Sequence, residues 1–258
     1  MNQRIGTVAF NTFREAVRDR VLYNLIVFAL LLVLSSFLFG QISIGIERLI
    51  LVNLSLTSIS IFGIVIAILI GIGLVSKEMD KKTLYTILAR PLSRWEFILG
   101  KFFGLSGTLV VNVFFMSIGF FAALFFQSHR FQSQDKWLLV ALYFIVLELI
   151  LVTAIALLFS TYSSPLISSI FTLSVLVIGT FAADLRAFAS AMHGLPRLLA
   201  TGVAYIVPNF ASFNVITAVA HGQSVAGDLI VYNTMYAVLY SAAILAGAVL
   251  IFERRNLK

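Results

Sequence analysis

The sequence predicts an all-α, polytopic membrane protein with about six transmembrane helices. Hydrophobic residues make up 60% of its 258 positions and charged residues only 11%, which leaves too little polar surface for a water-soluble domain. Six apolar stretches approach the length of about 20 residues with which a helix crosses a bilayer. They lie near residues 21–40, 49–75, 102–127, 137–160, 166–183 and 229–252. We therefore expect a single transmembrane domain over residues 1–258 that uses the lipid bilayer as its solvent.

The placement of the basic residues predicts the orientation. With both termini in the cytoplasm, 13 of the 18 basic residues lie in inner segments, in agreement with the positive-inside rule. An even number of spans returns both termini to the same side. Because the basic residues flank apolar stretches instead of covering one folded face, we expect no nucleic-acid partner. The first twenty residues mix charges with no compact apolar run, so they do not resemble a cleavable signal peptide.

An amphipathic helix is predicted at the N-terminus, over residues 1–20. Ile5, Val8, Ala9 and Phe13 recur at helical spacing, and polar residues occupy the other side. This pattern favours a helix lying in the membrane interface. The alternative is a solvated helix that only leads into the first span.

The long charged segment between the second and third spans is the main cytoplasmic surface that we expect. Leu84 and Leu88 share a helical face, and Pro91 ends that helix because it lacks a backbone donor. Ser93 and Glu96 have the spacing of a capping box, so a new helix is predicted to start at Arg94 and continue into the third span.

The outer connection between spans five and six, residues 184–228, is unusually apolar for a loop. Its two apolar runs, residues 198–207 and 210–220, are each too short to cross a bilayer, and Pro208 separates them. We therefore expect short re-entrant helices that dip into the outer leaflet and are buried against the other spans.

Rows of small residues four apart occur in three spans, and such rows allow close helix packing. Packing within the chain is the default interpretation, and a subunit interface is the alternative. The rows are Gly63, Ala67 and Gly71; Gly100 and Gly104; Ala243 and Gly247.

Recognisable catalytic and metal sites are absent from the sequence. The Gly100-Lys101 pair has Trp95 where the first glycine of a phosphate-binding loop should stand, so the chain lacks that route to ATP hydrolysis. Its three histidines are scattered over outer segments, and it has no cysteine. We expect no catalytic residues, no bound metal and no cofactor on this chain.

Glu148 is the only acidic or basic residue near the middle of a predicted span, and Asn112 is a polar residue of the third span. They lie at similar depth on neighbouring helices in the sequence, so their side chains can meet. A functional interpretation is the polar lining of a substrate path. The alternative, which we favour, is a single interhelical hydrogen bond between the two side chains. In one version of this alternative the carboxyl group of Glu148 is protonated.

The charged inner segment resembles a known signature. The sequences KEMDKKTL at 77–84, LARPLSR at 88–94 and LGK at 99–101 are similar to the signature of type-2, exporter-type ATP-binding cassette (ABC) transporter permeases. The run YIVPNF at 205–210, with Phe213 and Asn214, resembles an element of the branch that includes the copper-maturation permease of nitrous oxide reductase. These elements, in order, extend over nearly the whole chain. Lys82 departs from the glycine that usually stands before Thr-Leu.

The resemblance implies a permease subunit that a separate cytosolic ABC ATPase drives, with ATP and Mg²⁺ bound by the ATPase. It implies a homodimer or a pair with a related permease in the inner membrane, accessory outer or periplasmic proteins, and export as the direction of transport. The inner segment, residues 77–93, becomes the coupling helix. Its ATPase-coupling residues are then Glu78, Asp80, Thr83, Leu84, Leu88, Arg90, Pro91 and Arg94. The outer-cap residues are Pro208, Asn209, Phe213 and Asn214.

Two other function classes stay open at this point. An intramembrane enzyme or a proton-coupled secondary carrier would use Glu148 as its working carboxyl group. Secondary carriers usually show inverted repeats and broken spans, and the sequence shows neither. A permease-like subunit that transmits force to outer proteins without moving a substrate is the other possibility.

Overall fold

The computed structural model describes residues 2–42, 45–80, 93–128 and 133–254, and in these ranges the chain is helical apart from short connections. The first five helices are α1 (Asn2–Val17), α2 (Arg20–Ile42), α3 (Glu47–Asp80), α4 (Arg94–Ser128) and α5 (Lys136–Ser160). The next five are α6 (Pro165–Thr180), α7 (Ala182–Ala191), α8 (Leu195–Ile206), α9 (Ile216–Ala220) and α10 (Gly227–Arg254). Short 3₁₀ turns lie at Ser133–Asp135 and Phe210–Phe213. No β-strand occurs in the described ranges, and the predicted all-α fold is confirmed.

Two helix starts follow from local sequence. The backbone N–H of Ser93 donates to the Glu96 carboxylate over 3.0 Å, so this half of the predicted capping box forms and α4 begins at Arg94 as expected. Pro165 occupies the first turn of α6, where a missing N–H costs nothing. Ser164, just before it, has an extended backbone conformation.

Within the described ranges, four helices are long and apolar enough to cross a membrane: residues 47–73 of α3, α4, α5 and residues 227–253 of α10. The total rises to six if each of two bent pairs forms one span. One pair is α6 with α7, bent by 63°, and the other is α8 with residues 210–220, bent by 43°. Helix α2, where the first span is predicted, adds the shorter apolar stretch Leu25–Ser35. The prediction of a polytopic membrane protein is confirmed.

Helix α5 is the centre of the bundle. In the most apolar 18-residue stretch of α5, 67% of the residues are buried inside the protein, compared with 28% in that of α10. Helix α5 packs on α3, α4, α6 and α10. Glycines bring α3 close to it, because a Cβ at Gly63 would lie 2.7 Å from Leu149 and one at Gly71 would lie 3.4 Å from Ala156. This row of small residues packs within the chain, as expected.

Helix α1 packs along the first turns of α4. A Cβ at Gly100 would lie 2.6 Å from the Cβ of Val8, and one at Gly104 would lie 2.7 Å from the Cβ of Thr12. The second small-residue row therefore also packs within the chain, against the apolar side of the predicted amphipathic helix. Thr12 and Ala16 of α1 are fully buried.

Candidate functional site

The carboxyl group of Glu148 lies in the contact between α5 and α3. Ser60 of α3 donates its hydroxyl hydrogen to Glu148 Oε2 over 3.1 Å, and Glu148 is partly buried. Gly63 lies on the same face of α3, three residues after Ser60, and packs on Leu149. The close approach at Gly63 brings Ser60 within reach of the carboxyl group.

Asn112 does not pair with Glu148 through its amide nitrogen. It is only 3% exposed, and its Nδ2 has no hydrogen-bond partner among the residues that the structure describes. Sequence reasoning identified an interhelical hydrogen bond at Glu148 but assigned it to Asn112 and missed Ser60. The reason is packing: α3, through its glycines, lies against the Glu148 turn of α5.

Arg94 joins the start of α4 to the end of α10. Its Nη1 donates to the backbone carbonyls of Phe252 and Glu253 over 2.6 and 2.8 Å, and these carbonyls belong to the last turn of α10. Such carbonyls have no partner within their own helix, so a guanidinium is a suitable cap. We call this side of the bundle the Arg94 end.

Aromatic rings reinforce the Arg94 contact. The guanidinium carbon lies 5.7 Å from the centre of the Phe252 ring, and Phe252 stacks on Phe97 with ring centres 6.0 Å apart. Lys101, which is 3% exposed, places its Nζ 5.7 Å from the Phe97 ring centre. Phe97 and Phe252 were not predicted as site residues, because only the tertiary structure brings their helices together.

Most of the predicted ATPase-coupling residues lie outside the described residues. These are Thr83, Leu84, Leu88, Arg90 and Pro91. Glu78 and Asp80 belong to the last turn of α3, but their side chains are not among those described. Of this predicted set, the structure describes the side chain of Arg94.

The predicted outer-cap residues form one connected region between α6 and α10. The backbone N–H of Asn209 donates to the Tyr236 hydroxyl over 2.9 Å, and the Pro208 carbonyl packs against Gly179 of α6. The Phe213 ring is buried between Phe144 of α5 and Tyr236, with ring centres 6.5 and 6.2 Å away. These contacts attach the cap to three helices.

Asn214 and a row of tyrosines complete this region. Asn214 Oδ1 accepts a hydrogen bond of 3.3 Å from the Ile216 backbone N–H, which orders the start of α9. Tyr232, Tyr236 and Tyr240 lie one turn apart on α10, and the Tyr240 hydroxyl donates to the carbonyl of Ile206. Sequence reasoning missed this row, although the spacing of four residues was visible.

The two halves of the apolar segment differ in burial. The larger apolar side chains of residues 210–220 are buried as expected, with Phe210, Phe213 and Val219 at most 5% exposed. Helix α8, in contrast, is mostly exposed. Leu198 and Ile206 are 70% and 77% exposed, and Ala204 is the buried residue of this helix. The expectation that both runs are buried against other spans is wrong for α8, because α8 packs mainly on α7.

The described residues contain no group of three or more His, Asp or Glu side chains placed to hold a metal ion. The polar features described above are the Glu148 carboxyl group with its Ser60 hydroxyl partner, and polar contacts at both ends of the bundle. Such contacts connect helices.

Comparison with known protein families identifies the family of this chain's sequence relatives. The sequence model of the family described as ABC-2 family transporter protein matches residues 7–257, nearly the whole chain. A comparison with curated proteins found no match to the chain.

Proposed function

The chain belongs to the ABC-2 family of transporter proteins, and on that premise we propose that it is the exporter permease subunit to which a separate cytosolic ATPase supplies energy. That it is a multi-pass membrane permease of an ABC transporter follows from the family and from the apolar helices. Such membrane subunits are normally non-catalytic. The proposal adds the direction of transport, the ATPase partner and the way in which the ATPase is coupled to the permease.

The family match over nearly the whole chain is the observation that carries the proposal. The sequence lacks a phosphate-binding loop, so a pump built on this chain needs ATP and Mg²⁺ bound by another subunit. The chain itself then binds no cofactor. A homodimer, or a pair with a related permease, supplies the second half of the transport path.

Orientation is the next part of the proposal. Both termini and the segment of residues 77–101 face the cytoplasm of the inner membrane, because this arrangement places 13 of 18 basic residues inside. The Arg94 end of the bundle is then the cytoplasmic end. The region around Pro208 and Asn209 faces outward, where accessory proteins have access to it.

Coupling starts at the inner segment and passes through Arg94. Nucleotide binding closes the ATPases and displaces the segment of residues 77–93 that docks on them. Arg94 follows that segment and hydrogen-bonds to the last turn of α10. A displacement at this point therefore acts on α4 and α10 together, which supports a rigid-body movement of the helices.

The test truncates the apolar face of the proposed coupling helix. The double substitution Leu84→Ala and Leu88→Ala should remove a few kcal/mol of contact with the ATPase, since burying each leucine contributes about 1.5–3 kcal/mol. Co-purification of the ATPase and ATP turnover by the complex should both fall. The purified permease alone, in liposomes, should not hydrolyse ATP.

The matched control replaces two leucines outside the proposed interface. Leu198 and Leu199 on α8 are 70% and 61% exposed, so Leu198→Ala with Leu199→Ala should leave ATPase binding unchanged. Membrane insertion and permease self-association should survive in both variants. Unchanged co-purification of the ATPase with the Leu84 and Leu88 variant would refute the coupling assignment.

A further inference from the structure

An open apolar groove of about 840 Å³ runs between α4 and α10 on the outside of the bundle. From α4 it is lined by Trp95, Leu99, Phe103 and Ser106, and from α10 by residues that include Ala242, Ala246, Leu250 and Glu253. Ile150 of α5 also contributes to its lining. Of the coupling and outer-cap residues whose side chains the structure describes, none lines it.

The groove is shorter than the hydrocarbon core of a bilayer. Its lining rises by about 17 Å along α4, from Trp95 to Ser106, and by about 23 Å along α10, from Val238 to Glu253, whereas the hydrocarbon core measures about 30 Å. A transmembrane helix of a second subunit needs about 20 residues of facing surface, and this groove offers about 12 on α4 and about 16 on α10. A lipid acyl chain therefore fits its length better than a helix does.

The mouth of the groove, at the Arg94 end, carries groups whose charge and chemistry suit a zwitterionic headgroup. Glu253 supplies an exposed carboxylate and Trp95 an indole ring, which together are suited to an ammonium group. The Arg94 guanidinium lies beside them, on the carbonyls of Phe252 and Glu253, and adds positive charge suited to a phosphate. Tryptophan is also typical of the headgroup level of membrane proteins.

We propose that the groove between α4 and α10 binds an amine-bearing zwitterionic membrane phospholipid, with an acyl chain along the groove and the headgroup at Trp95 and Glu253. This lipid site shares Arg94 with the proposed coupling path, but lipid retention can be measured on the permease without the ATPase and without a transported substrate. Its test therefore fails or succeeds separately from theirs.

The experiment reconstitutes the full-length chain in vesicles of equal parts phosphatidylethanolamine and phosphatidylglycerol, then counts retained lipids by native mass spectrometry after gentle detergent extraction. The unmodified chain should retain phosphatidylethanolamine in preference to phosphatidylglycerol. Ala246→Trp, which fills the groove, should lower its retention about tenfold. Met235→Trp is the control, because Met235 is an exposed residue of the same helix that does not line the groove.

Glu253→Gln tests the headgroup and does not depend on whether the tryptophan variant folds. It should abolish the preference for phosphatidylethanolamine while some lipid stays bound. Equal retention by the Ala246→Trp and Met235→Trp variants would overturn the site, as would a preference that Glu253→Gln does not change. Ala246→Cys in this cysteine-free chain adds a third readout, since disulfide-linked dimers on oxidation would show that a second copy covers the groove.

Discussion

The glycines of α4 that face α1 provide the sharpest test of the packing. At Gly104 an added Cβ would lie 2.5 Å from the backbone carbonyl oxygen of Ala9 and 2.7 Å from Thr12 Cβ, and neither atom is the end of a flexible side chain. At Gly107, one turn later, the nearest atom is Phe13 Cδ2 at 3.7 Å, an ordinary contact. Gly104→Ala and Gly107→Ala are therefore a matched pair on one helix.

The difference between the two variants isolates the cost of overpacking. Both substitutions gain about 1 kcal/mol of helix propensity, so this gain cancels in the comparison. Overpacking at a close contact costs about 1–3 kcal/mol. The free energy of unfolding should therefore be about 1–3 kcal/mol lower for Gly104→Ala than for Gly107→Ala.

Unfolding by sodium dodecyl sulfate in mixed micelles, followed by circular dichroism, measures this difference. Gly73→Ala on α3 is a further control, because among the described residues no atom outside its own stretch of helix lies within 4 Å of the added Cβ. Equal stability of the Gly104→Ala and Gly107→Ala variants would refute the packing of α1 on α4. It would favour instead an amphipathic helix that lies on the membrane away from the bundle.

Three further predictions concern the cap, the carboxyl group between spans and the orientation. Tyr236→Phe removes the hydroxyl that accepts the Asn209 N–H, so the free energy of unfolding should fall by about 1–3 kcal/mol and amide exchange at residues 205–214 should become faster. Tyr232 is 62% exposed, so the control Tyr232→Phe should change neither. Glu148→Gln should preserve folding and ATP turnover by the complex, because the neutral amide still accepts the hydrogen bond from Ser60. A variant that folds but no longer turns over ATP would instead indicate that the carboxyl group takes part in function. A cysteine at Gln223 should react with an impermeant thiol reagent in intact cells and one at Met79 should not, and the reverse labelling would invert the proposed topology.

The fold class and most helix positions were accessible from the sequence because they depend on local properties. Apolar stretches of membrane length predict α3, α4, α5 and α10, and the Ser93 and Glu96 spacing predicts the start of α4. The close packing of Gly63 and Gly104 was also visible, since glycine at helical spacing favours close helix contact. Which helix fills each contact was not visible.

The candidate site shows the same limit at particular residues. A carboxyl group in the middle of a span needs a hydrogen-bond partner, so the existence of a partner for Glu148 was predictable. Whether that partner is Asn112 or Ser60 depends on which helix packs on this part of α5, and the sequence does not show that. For the cap, Asn209 and Phe213 were identified through a resemblance, whereas their contacts with Tyr236 require α10 to lie beside them. The burial of α8 was overestimated, because apolar composition does not reveal whether a protein surface lies opposite.

By itself, then, the sequence determined that this chain is a helical membrane protein, where its main helices lie and where a long charged segment separates two of them. These properties follow from hydropathy, capping and charge, which act over a few neighbouring residues. Only the tertiary structure decided that Arg94 hydrogen-bonds to the last turn of α10, that the Ser60 hydroxyl donates to Glu148, and that a groove lies between α4 and α10. Each of these depends on two helices distant in sequence meeting at a given rotation and height, and that arrangement results from the packing of the whole bundle.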